Sequence, residues 1–359
     1  MNKYILSPTN NFELNNAGGK ATFDAITTAK ALGYKYVSLY YNTQLNTKIS
    51  HIIKGIYNTK VLCKSLNSGD VILIQYPLNR ILLKRILKTI RSSNKDVAII
   101  MMIHDIDYLR DVTVGKRTIE EMKELELNIL NQADYIICHN EKMIDVLHNE
   151  SVSAQLINMK IFDYLYSGKD AVVSSIYNQV VIAGNLDERK VGYLYKLDDK
   201  FTLDLMLYGS QLNLEKLNCE NATYKGSFAP DKLIENLEGR YGLVWDGNDL
   251  HRCGGSYGKY LKINCPHKLS LYIAAGLPVI VWRESAMSKF VEEENIGFSI
   301  GSIDKLEKAL KENEINYSMY TANISKVKFN LRNGMYLKEA LNKIEVSIKE
   351  IKHKNTNGK

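Results

Sequence analysis

Short runs of wholly apolar residues, each followed by a stretch of helical length, recur along most of this chain. Val71-Ile72-Leu73-Ile74, Ile99 to Ile103, Gly242 to Trp245 and Leu277 to Trp282 show no alternation of apolar and polar side chains. A strand without alternation is covered on both faces, as in a parallel sheet carrying helices above and below it. With Tyr4–Leu6, Tyr36–Tyr40, Tyr135–Cys138, Val180–Ala183, Thr202–Tyr208 and Phe298–Ile300 as further strands, the pattern predicts successive βαβ units. It breaks over Met159–Ser175 and restarts at Val180, so residues 1–158 and 159–328 read as two doubly wound α/β domains facing a cleft. A last helix near Asn333–Ile351, within residues 329–359, is expected to pack back on the first domain and to end in a basic tail.

Composition narrows the class. A length of 359 residues suits two domains of ordinary size. Hydrophobic and charged contents of 45% and 24% are those of a soluble globular protein. No apolar run approaches the roughly 20 residues of a membrane-spanning helix. The opening MNKYILSPTNNFELNN lacks the apolar core of a secretory signal, so a cytoplasmic location is expected. The five cysteines form no CxxC pair, which argues against a disulfide framework and a zinc site. The net charge of +7 permits an anionic ligand or membrane surface. No zinc-finger, RRM or arginine-rich signature accompanies it, so nucleic acid is not an expected partner. Between Leu78 and Ser92, apolar positions interleave with Arg80, Lys84, Arg85, Lys88 and Arg91. That pattern fits a core-packed helix with a solvated basic face, and equally a helix lying on an anionic membrane.

The richest stretch is Tyr241 to Ile300. Gly242 to Trp245 stops at Asp246-Gly247, and a helix over Lys268–Ala275 closes at Gly276, with Pro278 beyond. Lys268 in the first turn adds a full charge to the unpaired N–H groups of a helix start, which is a site for an anionic phosphate. Gly184-Asn185 ends the first strand of the second domain, and Arg189 and Lys190 just beyond are cations for a diphosphate. Among Glu292, Glu293 and Glu294, one carboxylate would suit ribose hydroxyls, although a solvated helix end has the same sequence. In the first domain, His104-Asp105-Ile106-Asp107 follows strand Val97–Ile103. Asp105 or Asp107 is placed to take a proton from an acceptor hydroxyl, with His104 orienting a sugar or phosphate, or else one aspartate caps the next helix. Gly18-Gly19-Lys20 opens the first helix and offers close backbone approach to a ligand, or an ordinary tight turn.

These residues resemble one family. IHDIDYLRD (103–111), KIFDYL (160–165), AGNL (183–186), YKGSF (224–228), GLVWDG (242–247) and CGGSYGKYLKINCPHKLSLYI (253–273) are similar to bacterial β-1,6-galactofuranosyltransferases of O-antigen and surface polysaccharide assembly. The resemblance runs in order from NNAGGKATFDA (15–25) to the last helix. A more distant one is to the glucosyltransferases of serine-rich streptococcal adhesins. It implies the GT-B fold of two Rossmann-like domains, with the acceptor mainly on the N-terminal domain and a UDP-sugar mainly on the C-terminal one. No metal or other cofactor is implied. Carried onto this chain, Lys268 matches the lysine that meets the donor diphosphate, and the Asn185–Lys190 segment matches another donor-contacting loop, although it departs from the adhesin enzymes at Arg189. With the residues read from the sequence itself, the expected donor-binding set is Gly184, Asn185, Arg189, Lys190, Asp246, Lys268, Ser270 and Glu292, with Gly18, Gly19 and Lys20 toward the acceptor. The expected reaction moves galactofuranose from UDP-galactofuranose, with inversion, to a glycan hydroxyl of a lipid-linked oligosaccharide. Alternatives are glucose transfer from UDP-glucose and a non-catalytic partner subunit. Contact with the inner membrane face and a homo-oligomer are compatible with this reading. Replacing Lys268 with Ala is expected to abolish transfer with the fold intact.

Overall fold

The computed structural model describes residues 1–8, 17–39, 48–112 and 117–357. They form two compact units. One comprises residues 1–12, 22–159 and 336–359, and the other residues 13–21 and 160–335.

In the first unit the described strands are β1 (Lys3–Pro8), β2 (Lys35–Leu39), β3 (Val71–Tyr76), β4 (Ala98–Ile103), β5 (Tyr135–Cys138) and β6 (Gln155–Asn158). They lie in the order β2-β1-β3-β4-β5-β6, every pairing parallel. Every residue of β3 is buried, as its unbroken apolar run requires. The intervening helices are α1 (Ala17–Ala31), α2 (Lys48–Ser65), α3 (Arg80–Arg91), α4 (Ile119–Leu130) and α5 (Glu141–Asn149). Their starts are written in the sequence. Asn79 accepts from the Ile81 and Leu82 amides, Asn140 from Met143, and Thr118 with Glu121 forms a reciprocal capping box. Strand β6, whose sequence QLIN carries no apolar run, is an edge strand that periodicity did not predict.

The second unit repeats the plan. Its sheet contains β8 (Gln179–Asn185), β9 (Asp204–Ser210), β10 (Ala222–Gly226), β12 (Tyr241–Val244), β13 (Val279–Trp282) and β14 (Gly297–Ile300), and a two-residue pair, β7 (Val172–Val173) with β11 (Glu238–Gly239), stands apart. The sheet order is β10-β9-β8-β12-β13-β14, again parallel throughout. Helices α6 (Glu188–Val191), α7 (Pro230–Asn236), α8 (Gly255–Tyr260), α9 (His267–Ala275), α10 (Ser288–Glu293), α11 (Leu306–Asn313) and α12 (Tyr317–Arg332) connect and cover it. Helix α8 lies between Asp246-Gly247 and α9, where the apolar pattern predicts no element. Gly242 on β12 seats the Tyr272 ring of α9, because a Cβ there would stand 2.2 Å from Tyr272 Cγ. The Tyr272 hydroxyl in turn accepts from the Ala183 amide on β8 at 2.7 Å. At the end of α12, Arg332 Nε donates to Ala274 O at 2.8 Å.

The C-terminal helix α13 (Met335–Asn357) groups with the first unit from Tyr336 onward. Glu345 meets Lys3 Nζ at 2.8 Å, and Tyr135 donates to Ser347 at 3.1 Å. Among the described residues no helix is long and apolar enough to cross a membrane.

Beneath the end of β4, His139 is fully buried with Nε2 2.8 Å from Ile103 O. Burial drives its pKa from 6.5 down to about 3. The unfolded chain therefore binds this proton below pH 6.5 while the native ring refuses it, so stability falls as pH drops from about 6.5 toward 3. In a His139→Gln variant, melting temperature is expected to fall less steeply across that window than in the wild type, as read by circular dichroism melts.

Candidate active site

In the second unit the chain winds one way from β8 through β9 to β10 and the other way from β12 to β14, so the connections reverse direction between β8 and β12. Ligands of open α/β sheets lie at the carboxyl ends of the strands at such a point. Strand β8 ends there in Gly184-Asn185, and β12 runs into Trp245-Asp246-Gly247.

Lys268, in the first turn of α9, directs its Nζ to Asp246 Oδ1 at 2.6 Å and to Trp245 O at 3.3 Å. Only 8% of the Lys268 side chain and 6% of Asp246 reach solvent. Burial lowers the lysine pKa, Asp246 opposes that shift, and the nearby charge of Lys190 adds to it. Lys190 belongs to α6, which is stitched to the end of β12. Gly247 N donates to Lys190 O at 2.7 Å, and Tyr193 N donates to Gly247 O at 3.0 Å. Lys190 is half-buried, its Nζ 5.8 Å from the Tyr257 ring centroid, and it has no carboxylate partner among the described residues. Lys268 thus lies at the strand reversal with Asp246 as its carboxylate, and the charge of Lys190 acts on it from α6.

The loop after β12 depends on glycine. A Cβ on Gly247 would stand 2.2 Å from Gly254 O, and one on Gly258 would lie 2.3 Å from the Cys253 carbonyl carbon and 3.0 Å from Asp246 O. The CGGSYG segment therefore folds directly onto Asp246-Gly247. Gly184, at φ +126°, has open space where a side chain would go, and Gly209 of β9 packs so closely that a Cβ would meet Gly184 O at 1.7 Å.

The remaining predicted donor residues separate. Asn185 Oδ1 accepts from the Asp187 amide at 2.8 Å in the turn before α6, which Asp187 caps. Arg189, 81% exposed, turns to Asp187 at 2.8 Å in a local surface pair. Ser270 corrects the sequence reading: it is fully buried and donates to Phe162 O at 2.7 Å, so its hydroxyl ties two segments together out of reach of a ligand. Glu292 is exposed on α10, where its charge acts on Tyr320 of α12. Gly18, Gly19 and Lys20 form part of the first turn of α1. That turn groups with the second unit. The Lys20 ammonium donates to Leu165 O at 2.7 Å and lies 4.6 Å from the Tyr164 ring centroid. His267, which immediately precedes Lys268, stacks on the same ring with centroids 5.1 Å apart. This Lys20–Tyr164–His267 stack was missed. The adjacency of KIFDYL and CPHKLS exists only in the fold, and the cue available was the pair of aromatic residues in the first motif.

In the first unit, His104 follows β4, and its Nε2 lies 2.8 Å from Gln75 Oε1, while Gln75 Nε2 donates to Thr22 O at 3.2 Å. Burial lowers the His104 pKa to about 4, so the ring is neutral at neutral pH. Asp105 pairs with Arg110 at 2.9 Å and Asp107 with Arg80 at 2.6 Å. The Asp107 side chain is 16% exposed and locks the loop to α3, whereas that of Asp105 is 35% exposed.

Paired parallel doubly wound units are the architecture of GT-B glycosyltransferases. Sucrose-phosphate synthase from Thermosynechococcus elongatus shares the fold at a TM-score of 0.59 and 12% identity, over 99% of this chain and 100% of that one. Residues 3–161 match the Glucosyltransferase 3-like N-terminal domain, and residues 180–344 match the Glucosyltransferase 3-like C-terminal domain. A β-1,6-galactofuranosyltransferase, WbbI of Escherichia coli strain K12, is 30% identical over 93% of this chain and 96% of its own length. Glucosyltransferase 3 of Streptococcus parasanguinis is 23% identical over 87% and 89%. The chain belongs to the Glucosyltransferase 3-like family of glycosyltransferases.

The buried pair corrects one expectation about Lys268. Its replacement by Ala strands Asp246 as a lone buried carboxylate, a loss on the order of 3–5 kcal/mol. Lys268→Met combined with Asp246→Asn is expected to recover most of that stability in urea unfolding.

Proposed function

We propose that the protein transfers galactofuranose from UDP-galactofuranose, with inversion, to a hydroxyl of a glycan acceptor, a lipid-linked oligosaccharide of surface polysaccharide assembly. The observation that carries the reading is the Lys190–Lys268 site at the β8/β12 reversal. As the bond from the anomeric carbon to the diphosphate oxygen breaks, negative charge grows on the departing UDP. Preorganised cations in a poorly hydrated site stabilise that charge more than they would in water. Lys268, held by Asp246, supplies fixed positive potential, and Lys190, without a carboxylate of its own, is the direct partner of the diphosphate. These cations take the role a divalent ion has in other transferases, so the reaction is proposed to be metal-independent. Glu292 is assigned to the ribose hydroxyls.

The acceptor oxygen attacks the face opposite the leaving group, so an α-linked donor yields a β-linked product in one displacement. Its proton passes to Asp105, the more exposed of the two aspartates after β4. Neutral His104 is a hydrogen-bonding group for the acceptor. The sugar assignment follows the similarity to the Escherichia coli galactofuranosyltransferase. A second reading, glucose from UDP-glucose, is favoured by the domain descriptions and the streptococcal glucosyltransferases.

The test is UDP release from UDP-galactofuranose, UDP-galactopyranose, UDP-glucose and UDP-N-acetylglucosamine, with EDTA present and simple glycosides as acceptors. Acceptor-dependent turnover confined to UDP-galactofuranose is expected. Turnover with UDP-glucose alone would replace the first reading by the second, silence with every donor would favour a non-catalytic partner subunit, and loss of turnover on adding EDTA would overturn metal independence.

Lys190 and Arg189 are neighbours with different surroundings, which gives a sharper check. Lys190→Ala is expected to lower turnover on the order of a hundredfold. Arg189→Ala should leave it nearly unchanged, and equal effects of the two substitutions would reject the assignment.

A further inference from the structure

Helices α2 and α3 pack side by side on the first unit, so closely that a Cβ on Gly55 of α2 would stand 2.9 Å from Leu82 Cδ1 of α3. Neither helix contains an Asp or a Glu. On α2, Tyr57, Lys60, Val61 and Lys64 recur at spacings of three and four and share one exposed face. On α3, the buried side is Leu82, Leu83, Ile86, Leu87 and Ile90, which leaves Ile81, Lys84, Arg85 and Lys88 outside. Ile81 and Tyr57 are each 66% exposed and Val61 49%.

The cations on this face differ from those that pair within their own helices. Lys311 meets Glu307 at 2.8 Å and Lys343 meets Glu339 at 2.9 Å on their own helices. Lys60, Lys64, Lys84, Arg85 and Lys88 have no carboxylate within ion-pair distance among the described residues. A face that combines unneutralised cations with exposed aliphatic and aromatic side chains has a specific physical complement. Anionic headgroups attract the lysines and arginine, and the boundary between headgroups and acyl chains takes up the apolar side chains. A nucleic-acid backbone would use the cations alone and give nothing to Ile81 or Val61.

We propose that the α2–α3 face docks the protein on an anionic lipid surface. The inference rests on this face and not on the identity of the donor sugar. It has a consequence for the reaction, because Arg80, the first residue of α3, is paired with Asp107 in the loop that carries Asp105. The docking helix therefore begins at the edge of the unit where the candidate base lies, and an acceptor carried on a lipid would arrive there.

The full-length protein should float with phosphatidylglycerol vesicles, release from them at high salt, and ignore pure phosphatidylcholine vesicles. The triple variant Lys84→Gln, Arg85→Gln, Lys88→Gln is expected to lower the partition coefficient on the order of a hundredfold, at about fivefold for each charge near the surface. Ile81→Ser should weaken binding with the charge unchanged, and unaltered melting temperatures establish that the variants are folded. Failure of the wild type to float, or flotation of the folded triple variant like the wild type, would overturn the proposal. So would binding to a duplex oligonucleotide that Ile81→Ser leaves untouched while it also leaves flotation unchanged.

Discussion

Much of the second unit is organised around one buried ion pair. Lys268 and Asp246 come from the start of α9 and the end of β12, and their 2.6 Å contact fixes the helix against the strand at the point where the sheet reverses. Withdrawing two charges from water costs more than an average contact returns, so the pair persists only because its surroundings hold it. Trp245 O accepts from the same ammonium, and the glycines at 247 and 258 bring backbone where side chains would not fit. The lysine would titrate more readily without Asp246, since burial and the charge of Lys190 both act to lower its pKa.

The first unit solves a related problem with neutral groups. Burial keeps His104 uncharged, and Gln75 connects its ring to the backbone of α1. Tyr76 donates to Glu126, which also accepts from the Tyr108 amide, so the turn after β4 is held from below. The two aspartates in that turn each meet an arginine, but Asp107 is enclosed and Asp105 is open. The first sheet end thus presents a carboxylate and a neutral imidazole, and that of the second unit presents cations.

The architecture was largely legible in the sequence because parallel strands covered on both faces leave unbroken apolar runs, as in VILI of β3 and VIVW of β13. What lacked such a run, β6 with QLIN and β10 with ATYKG, escaped notice. In the site, the residue types were readable and their pairings were not. Lys268 stood out as a cation at a helix start, yet nothing local showed that its partner lay 22 residues earlier. Arg189 and Lys190 looked equivalent until the cap by Asp187 claimed one of them. Ser270 lay on the right helix, and only the packing of residues 160–165 shows that its hydroxyl is already spent on Phe162.

The return of α13 to the first unit has a consequence for the order in which the chain can assemble. Residues 160–335 are contiguous apart from a short N-terminal piece, so that unit has nearly all its parts before the last helix is made. The first unit is synthesised first but must wait for residues 336–359, which supply Glu345 to Lys3 and Ser347 to Tyr135. Domains commonly fold in the order in which they leave the ribosome. Here the N-terminal sheet would emerge early and remain without its closing helix until residues 336–359 have been made, so the surface that α13 meets stays open to premature association over that interval.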